Sequence, residues 1–195
     1  VFRDQHLASA QKWVRTPAGR HIELGIAENN LFLMLGALGL SAPLFGARLL
    51  PVGTLYDPFI ARGLDALNYA CYQDARFMLV ATPSGITLAP EGGAHQSIAT
   101  PLIGIGQPGL IYYEPAYVDE VQVAMEWGFR HMQAANGGSI YLRLSTRPLE
   151  QPQRGMTEEL RQSIVSGGYW LRESAASDVA IIATGAVLPE AIAAV

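Results

Sequence analysis

Four side chains stand out for the chemistry they could do together: Glu28, Tyr56, Phe59 and His95. Glu28 closes the stretch His21-Ile22-Glu23-Leu24-Gly25-Ile26-Ala27-Glu28 and opens an apolar run to Leu40. That pattern predicts a short strand, a glycine turn and a helix whose first-turn carboxylate faces the positive end of the helix dipole. First-turn acids are favoured on that ground alone, so Glu28 takes its meaning from its company. Tyr56 and Phe59, three apart at the start of a second helix, share one face. Aromatics at this spacing also build cores. His95 lies in the Gly- and Pro-rich run Pro83–Ser97, a setting open to a solvated imidazole and to a functional one. A carboxylate, aromatic faces and a mobile His suit a flat heteroaromatic ring with a protonatable nitrogen.

The elements that must position these groups alternate. Strands are expected at 20–24, 47–53, 77–82, 110–113 and 140–144. Helices are expected at 28–40, 57–72 and 117–133, the second opened by Asp57-Pro58 as N-cap and first-turn proline. The continuous apolar run Phe77–Thr82 reads as a strand covered on both faces. Alternating strands and helices imply an α/β fold, a doubly wound and mostly parallel sheet with helices on both faces. Such sheets bind ligands beyond the carboxyl ends of their strands. Glu28, Tyr56 and the Pro83–Ser97 loop each follow a strand, so all three fall on that rim.

The domain reading is an irregular lead-in over 1–19, an α/β domain over 20–145, and a Pro-, Gln- and Arg-rich linker over 146–177 with a hairpin near Ser163–Leu171. A fresh strand at Val179–Gly185 then opens a truncated second α/β domain over 178–195. The 195 residues begin with Val and stop within an apparent helix, so a piece of a longer polypeptide is expected. Seventeen acids, 13 bases and a net charge of −4 leave no basic stripe for nucleic acid or an anionic membrane. The single Cys71 excludes a disulfide framework within the chain and a Cys-built metal site, and fits a reducing cytoplasm. Asp65, Asp74 and Asp119 read as single solvated acids.

Gly25-Ile26-Ala27-Glu28, Tyr56-Asp57-Pro58-Phe59 and Pro90-Glu91-Gly92-Gly93-Ala94-His95-Gln96, in that order, resemble the pyrimidine-binding domain of thiamine-diphosphate enzymes of the transketolase group. Gln73-Asp74-Ala75-Arg76, Glu91-Gly92 ahead of His95, and Pro115–Val121 with Met125 and Gly128 make the homodimeric pyruvate dehydrogenase E1 component the nearer likeness. The resemblance implies Glu28 and His95 as catalytic. It implies Glu28, Tyr56, Phe59 and Ile26 as cofactor-binding, with Phe59 stacked on the aminopyrimidine and Glu28 hydrogen-bonded to its ring nitrogen. The activity implied is decarboxylation of a 2-keto acid, pyruvate, with acyl transfer to a lipoyl carrier and a lipoyl acyltransferase (E2) as partner. The alternative is a transketolase moving two-carbon ketol units between sugar phosphates. The loop from Phe77 to Gly109 carries no Arg or Lys, which disfavours sugar phosphates. A non-catalytic domain on the same fold is a third reading, against which Glu28 speaks.

The family holds diphosphate and Mg²⁺ through a Gly-Asp-Gly motif of another domain, and no such motif occurs here. This chain is therefore expected to carry no metal ligand, to hold half a cofactor site, and to be inactive alone. The resemblance also implies a homodimer with the site between subunits; helix 28–40 and the Ile98–Gly106 region are candidate contact surfaces.

Overall fold

A computed structural model describes residues 20–173 and 178–195; the lead-in expected over 1–19 and linker residues 174–177 lie outside the described residues. Four strands, β1 (Val52–Leu55), β2 (Met78–Ala81), β3 (Leu110–Tyr113) and β4 (Ser139–Arg143), form one parallel sheet in the order β1-β2-β4-β3. The helices are α1 (Glu28–Gly39), α2 (Ser41–Phe45), α3 (Leu64–Tyr72), α4 (Pro101–Gly106), α5 (Val118–His131), α6 (Glu158–Val165) and α7 (Leu188–Ala193). Among the described residues none is long and apolar enough to cross a membrane.

The central strands β2 and β4 are buried at every position. Successive side chains alternate between faces. Phe77, Leu79, Ala81 and Tyr141 therefore pack on one side with Phe32 and Leu35 of α1 and Leu67 and Ala70 of α3. Met78, Val80, Ile140 and Leu142 pack on the other with Ala124 of α5 and Met132 beyond its end. Helices on both faces of a parallel sheet are the α/β architecture expected.

The expected strands at 20–24 and 179–185 do not form; both stretches are irregular, the second ending where Gly185 opens a 3-10 turn, with Ile22 57 % and Ile182 92 % exposed. An apolar run becomes a strand only against a neighbour that completes its ladder, and neither stretch has one among the described residues. The strand expected at 47–53 is displaced to β1. The helix expected at 57–72 begins instead as a 3-10 segment, Asp57–Gly63, before α3. The hairpin expected near 163–171 does not form: 163–165 end helix α6 and 166–171 is turn and coil. The α6 N-cap Thr157 accepts a hydrogen bond from the Leu160 amide at 3.2 Å, and Glu158 and Glu159 fill the helix's first turn. Asp119 is not a free solvated acid either: Arg154 donates to it at 2.7 and 3.0 Å, and those bonds hold its carboxyl below the usual range.

Close backbone approach is required where α1 meets its neighbours. A Cβ on Gly39 would stand 2.5 Å from the Arg76 amide nitrogen, whereas one on Gly36 would meet only the Ala70 Cβ at 3.3 Å. Gly39→Ala should therefore cost roughly 1–3 kcal/mol. Gly36→Ala should stay within about 1 kcal/mol of the parent, because helix propensity offsets the contact. Chemical denaturation of the two variants side by side checks the contrast.

Candidate active site

The carboxyl ends of β1 and β2 bring two of the expected groups together. β1 ends at Leu55, and the chain turns at Tyr56 into the 3-10 segment carrying Phe59. β2 leads into the Gly/Pro loop, which is folded rather than slack: two 3-10 turns, Ile86–Glu91 and Gly93–His95, anchored by buried Leu88. The Tyr56 and Phe59 rings meet edge to face at 5.1 Å, and the His95 imidazole stacks on Tyr56 at 5.9 Å. Phe59 and His95 lie 6.2 Å apart, completing a three-ring cluster. The Tyr56 hydroxyl donates to Glu91 Oε2 at 2.5 Å, and this bond, with burial and the carboxylate charge, pushes the phenol up to about 12. His95 Nδ1 lies 3.1 Å from the Glu91 carbonyl oxygen, where Nδ1–H donates.

Glu28 arrives from the other side, as the first residue of α1. Its side chain is only 12 % exposed, and its Oε1 lies 3.7 Å from Arg62 Nη1. The same Arg62 lays its guanidinium over the Phe59 ring, 3.7 Å from the centroid. One planar cation thus contacts both the carboxylate and the aromatic face. Gly25 supplies the turn at φ +66°. Ile26 is 87 % exposed, so it forms no buried wall within this chain. Among the described residues, no group of three or more His, Cys, Asp or Glu side chains is placed to hold a metal ion.

Beneath the rings lies a polar network. Asp57 is fully buried. It accepts from Tyr141 Oη at 2.6 Å, Thr100 Oγ1 at 2.7 Å and Arg143 Nε at 3.1 Å. Arg143 also donates to Glu114 Oε1 at 2.5 Å and to the Ser97 carbonyl at 3.0 Å. Asp57 is expected as an N-cap, but Tyr56 holds that position and the Asp57 carboxylate turns inward to Arg143, Tyr141 and Thr100.

No protein-family model matches the chain. Over 196 residues it is 28 % identical to the pyruvate dehydrogenase E1 component of Mycolicibacterium smegmatis, covering 97 % of this chain and 21 % of that protein. It is 28 % identical to a 6-deoxy-6-sulfo-D-fructose transketolase subunit from Clostridium sp., covering 95 % of this chain and 53 % of that one. This chain is related to the transketolase group. It spans between about a fifth and about a half of the length of these curated relatives. A solved transketolase from Pichia stipitis shares the fold, with a TM-score of 0.74 at 24 % identity over 89 % of this chain and 24 % of that one.

Against that transketolase-group background, the residues that sequence reasoning missed are Asp57, Arg143, Glu114 and Arg62. Asp57-Pro58 has the form of a helix start, which hid a buried acid. A signal for Arg143 was available: a lone charge closing the apolar strand Ile140–Leu144 needs a buried partner. Nothing local marks Arg62, which matters only through Glu28, 34 positions away.

Asp57→Ala removes one of the two carboxylates facing Arg143 and the buried acceptor of the Tyr141 and Thr100 hydroxyls, and should cost about 3–5 kcal/mol in denaturant unfolding. Glu190→Ala, which breaks the exposed pair with Arg147 at 2.7 Å, should leave the midpoint unmoved. In ultraviolet titration, the difference between the parent and Tyr56→Phe should show a phenol ionising near pH 12. Glu91→Ala removes the acceptor and the negative charge together, so the same difference should fall toward about 10.

Proposed function

We propose that this chain forms the aminopyrimidine-binding half of a thiamine-diphosphate site, and that its parent protein breaks a carbon–carbon bond beside a ketone carbonyl. One observation carries the reading: a shielded carboxylate and an aromatic face both contact a single planar cation. An aminopyrimidine ring sharing a proton with Glu28 has the same shape, charge and donors, so the residues present fit it. Bound there, thiamine diphosphate would supply the electron sink for the cleavage. The role of Glu28 is to share a proton between its carboxylate and the ring nitrogen. Phe59 offers the stacking face, and Tyr56, fixed by Glu91, forms the wall behind it. His95, tethered through Nδ1, is placed to present Nε2 to substrate and move a proton there. Diphosphate and Mg²⁺ would be held by residues outside this chain, and a second subunit would complete the site.

The finer reading is a pyruvate dehydrogenase E1-type enzyme that passes its acyl group to a lipoyl carrier, with a lipoyl acyltransferase as partner. The mycobacterial relative and the absence of Arg and Lys from Phe77 to Gly109 support it. The Clostridium relative favours a second reading, ketol transfer between sugar derivatives.

Glu28→Gln in the complete protein decides the shared part. Pyruvate decarboxylation and ketol transfer are assayed in parallel; the active reaction of the parent identifies the finer class. The variant should lose at least about a hundredfold of that activity. Activity within a few-fold of the parent overturns both readings together.

A further inference from the structure

Arg62 has no part in the chemistry just described, yet it stands at the centre of the site. Its side chain is 53 % exposed, with its guanidinium 3.7 Å above Phe59 and 3.7 Å from Glu28 Oε1. Building on the aminopyrimidine reading, we infer that Arg62 is a self-plug of the ring site: its guanidinium covers the Phe59 face and the Glu28 carboxylate, and swings out to admit the ring. A guanidinium and a protonated aminopyrimidine are both flat and cationic and both carry in-plane N–H donors. Two partners that suit one suit the other, and one Phe59 face cannot stack with both.

The plug is built to open by its side chain alone. Its backbone is pinned on both sides. Asp57 opens the same 3-10 segment and is locked to Arg143, Tyr141 and Thr100. Gly63, the next residue, sits so close to α1 that a Cβ there would lie 2.3 Å from the Phe32 ring and 3.2 Å from the Asn29 Cα. The guanidinium itself is held lightly. A separation of 3.7 Å from Glu28 is an ion pair without a hydrogen bond, and the half-exposed side chain has solvent into which to rotate. A cation–aromatic contact and an ion pair that are both half-exposed on the Arg62 side together amount to about tenfold in an equilibrium constant. The plug thus shields Glu28 and Phe59 without closing the site, and it makes ring entry an exchange of one flat cation for another.

The test uses the complete protein, with thiamine diphosphate and Mg²⁺ as probe, followed by equilibrium titration and by stopped-flow association. Arg62→Ala should bind about tenfold tighter than the parent, with faster association. Arg62→Lys keeps the charge but lacks the plane, and should fall between them. Thermal melts of the ligand-free variants report whether the fold is kept, as expected for a half-exposed side chain. Glu28→Gln supplies the reference, since it should weaken binding whether or not Arg62 is present. If the parent binds, Glu28→Gln weakens binding and Arg62→Ala binds no tighter, the plug is refuted while the aminopyrimidine site stands. If the parent does not bind the probe at all, the site reading fails and the plug with it.

Discussion

The Asp57–Arg143 pair is where the chain places two charges out of water, at 0 % and 4 % exposure. Desolvation on this scale is unfavourable unless hydrogen bonds and opposite charge offset it. Here the offset comes from four directions. Tyr141 belongs to β4, Thr100 and Ser97 to the segment after β2, Glu114 to the end of β3, and Asp57 to the turn after β1. Between them these groups come from all four strands or the segments that follow them. The pair therefore draws the rim of the sheet into one body, and the turns bearing Tyr56, Phe59 and His95 are set where it leaves them. An apolar pair of the same volume could fill that space, but it would not dictate which loop meets which.

Glu28 is positioned by a separate device. No bond of the buried network reaches α1; packing of Phe32 and Leu35 against α3 and the sheet holds that helix. The absence of a Cβ at Gly63 lets the 3-10 segment lie directly on its first turn. The site is thus assembled from two rigid pieces, one polar in its anchorage and one apolar, that meet at Arg62. Separate anchorage lets a side chain between them move without disturbing either. It also keeps the carboxylate shielded while the rings stay accessible from the rim.

Beyond the site, a second charged cluster pins the segment that follows β4. Arg154 reaches Asp119, Glu120 and Tyr169, and its guanidinium lies 5.2 Å from each of the Tyr117 and Tyr169 rings. Glu120 in turn accepts from the Ala116 and Tyr117 amides at 2.8 and 3.2 Å, closing the start of α5. The stretch that reads as a plain linker is thereby pinned to the start of α5, and α6 packs on α5 with the Arg161–Glu126 pair at 2.8 Å.

Local pattern alone determined the elements whose signal is local. The run at β2, the turn-bounded Leu110–Tyr113 of β3, and α1 and α5 with their helical spacing were legible because burial on one or both faces imprints a period on the sequence. From them followed the parallel α/β sheet and the placing of Tyr56 and His95 on one rim. Tertiary structure decided whatever depends on a distant partner. Residues 20–24 and 179–185 have strand-like composition but join no ladder among the described residues, and Ser163 to Val165 end the helix that Thr157 caps rather than open a hairpin. Asp57 looks like a cap and is a buried counter-ion, and Arg62 looks like a surface charge and lies between Glu28 and Phe59. Propensity and periodicity act over a few residues, whereas the fate of a charge is settled by whatever the fold brings within a few ångströms of it.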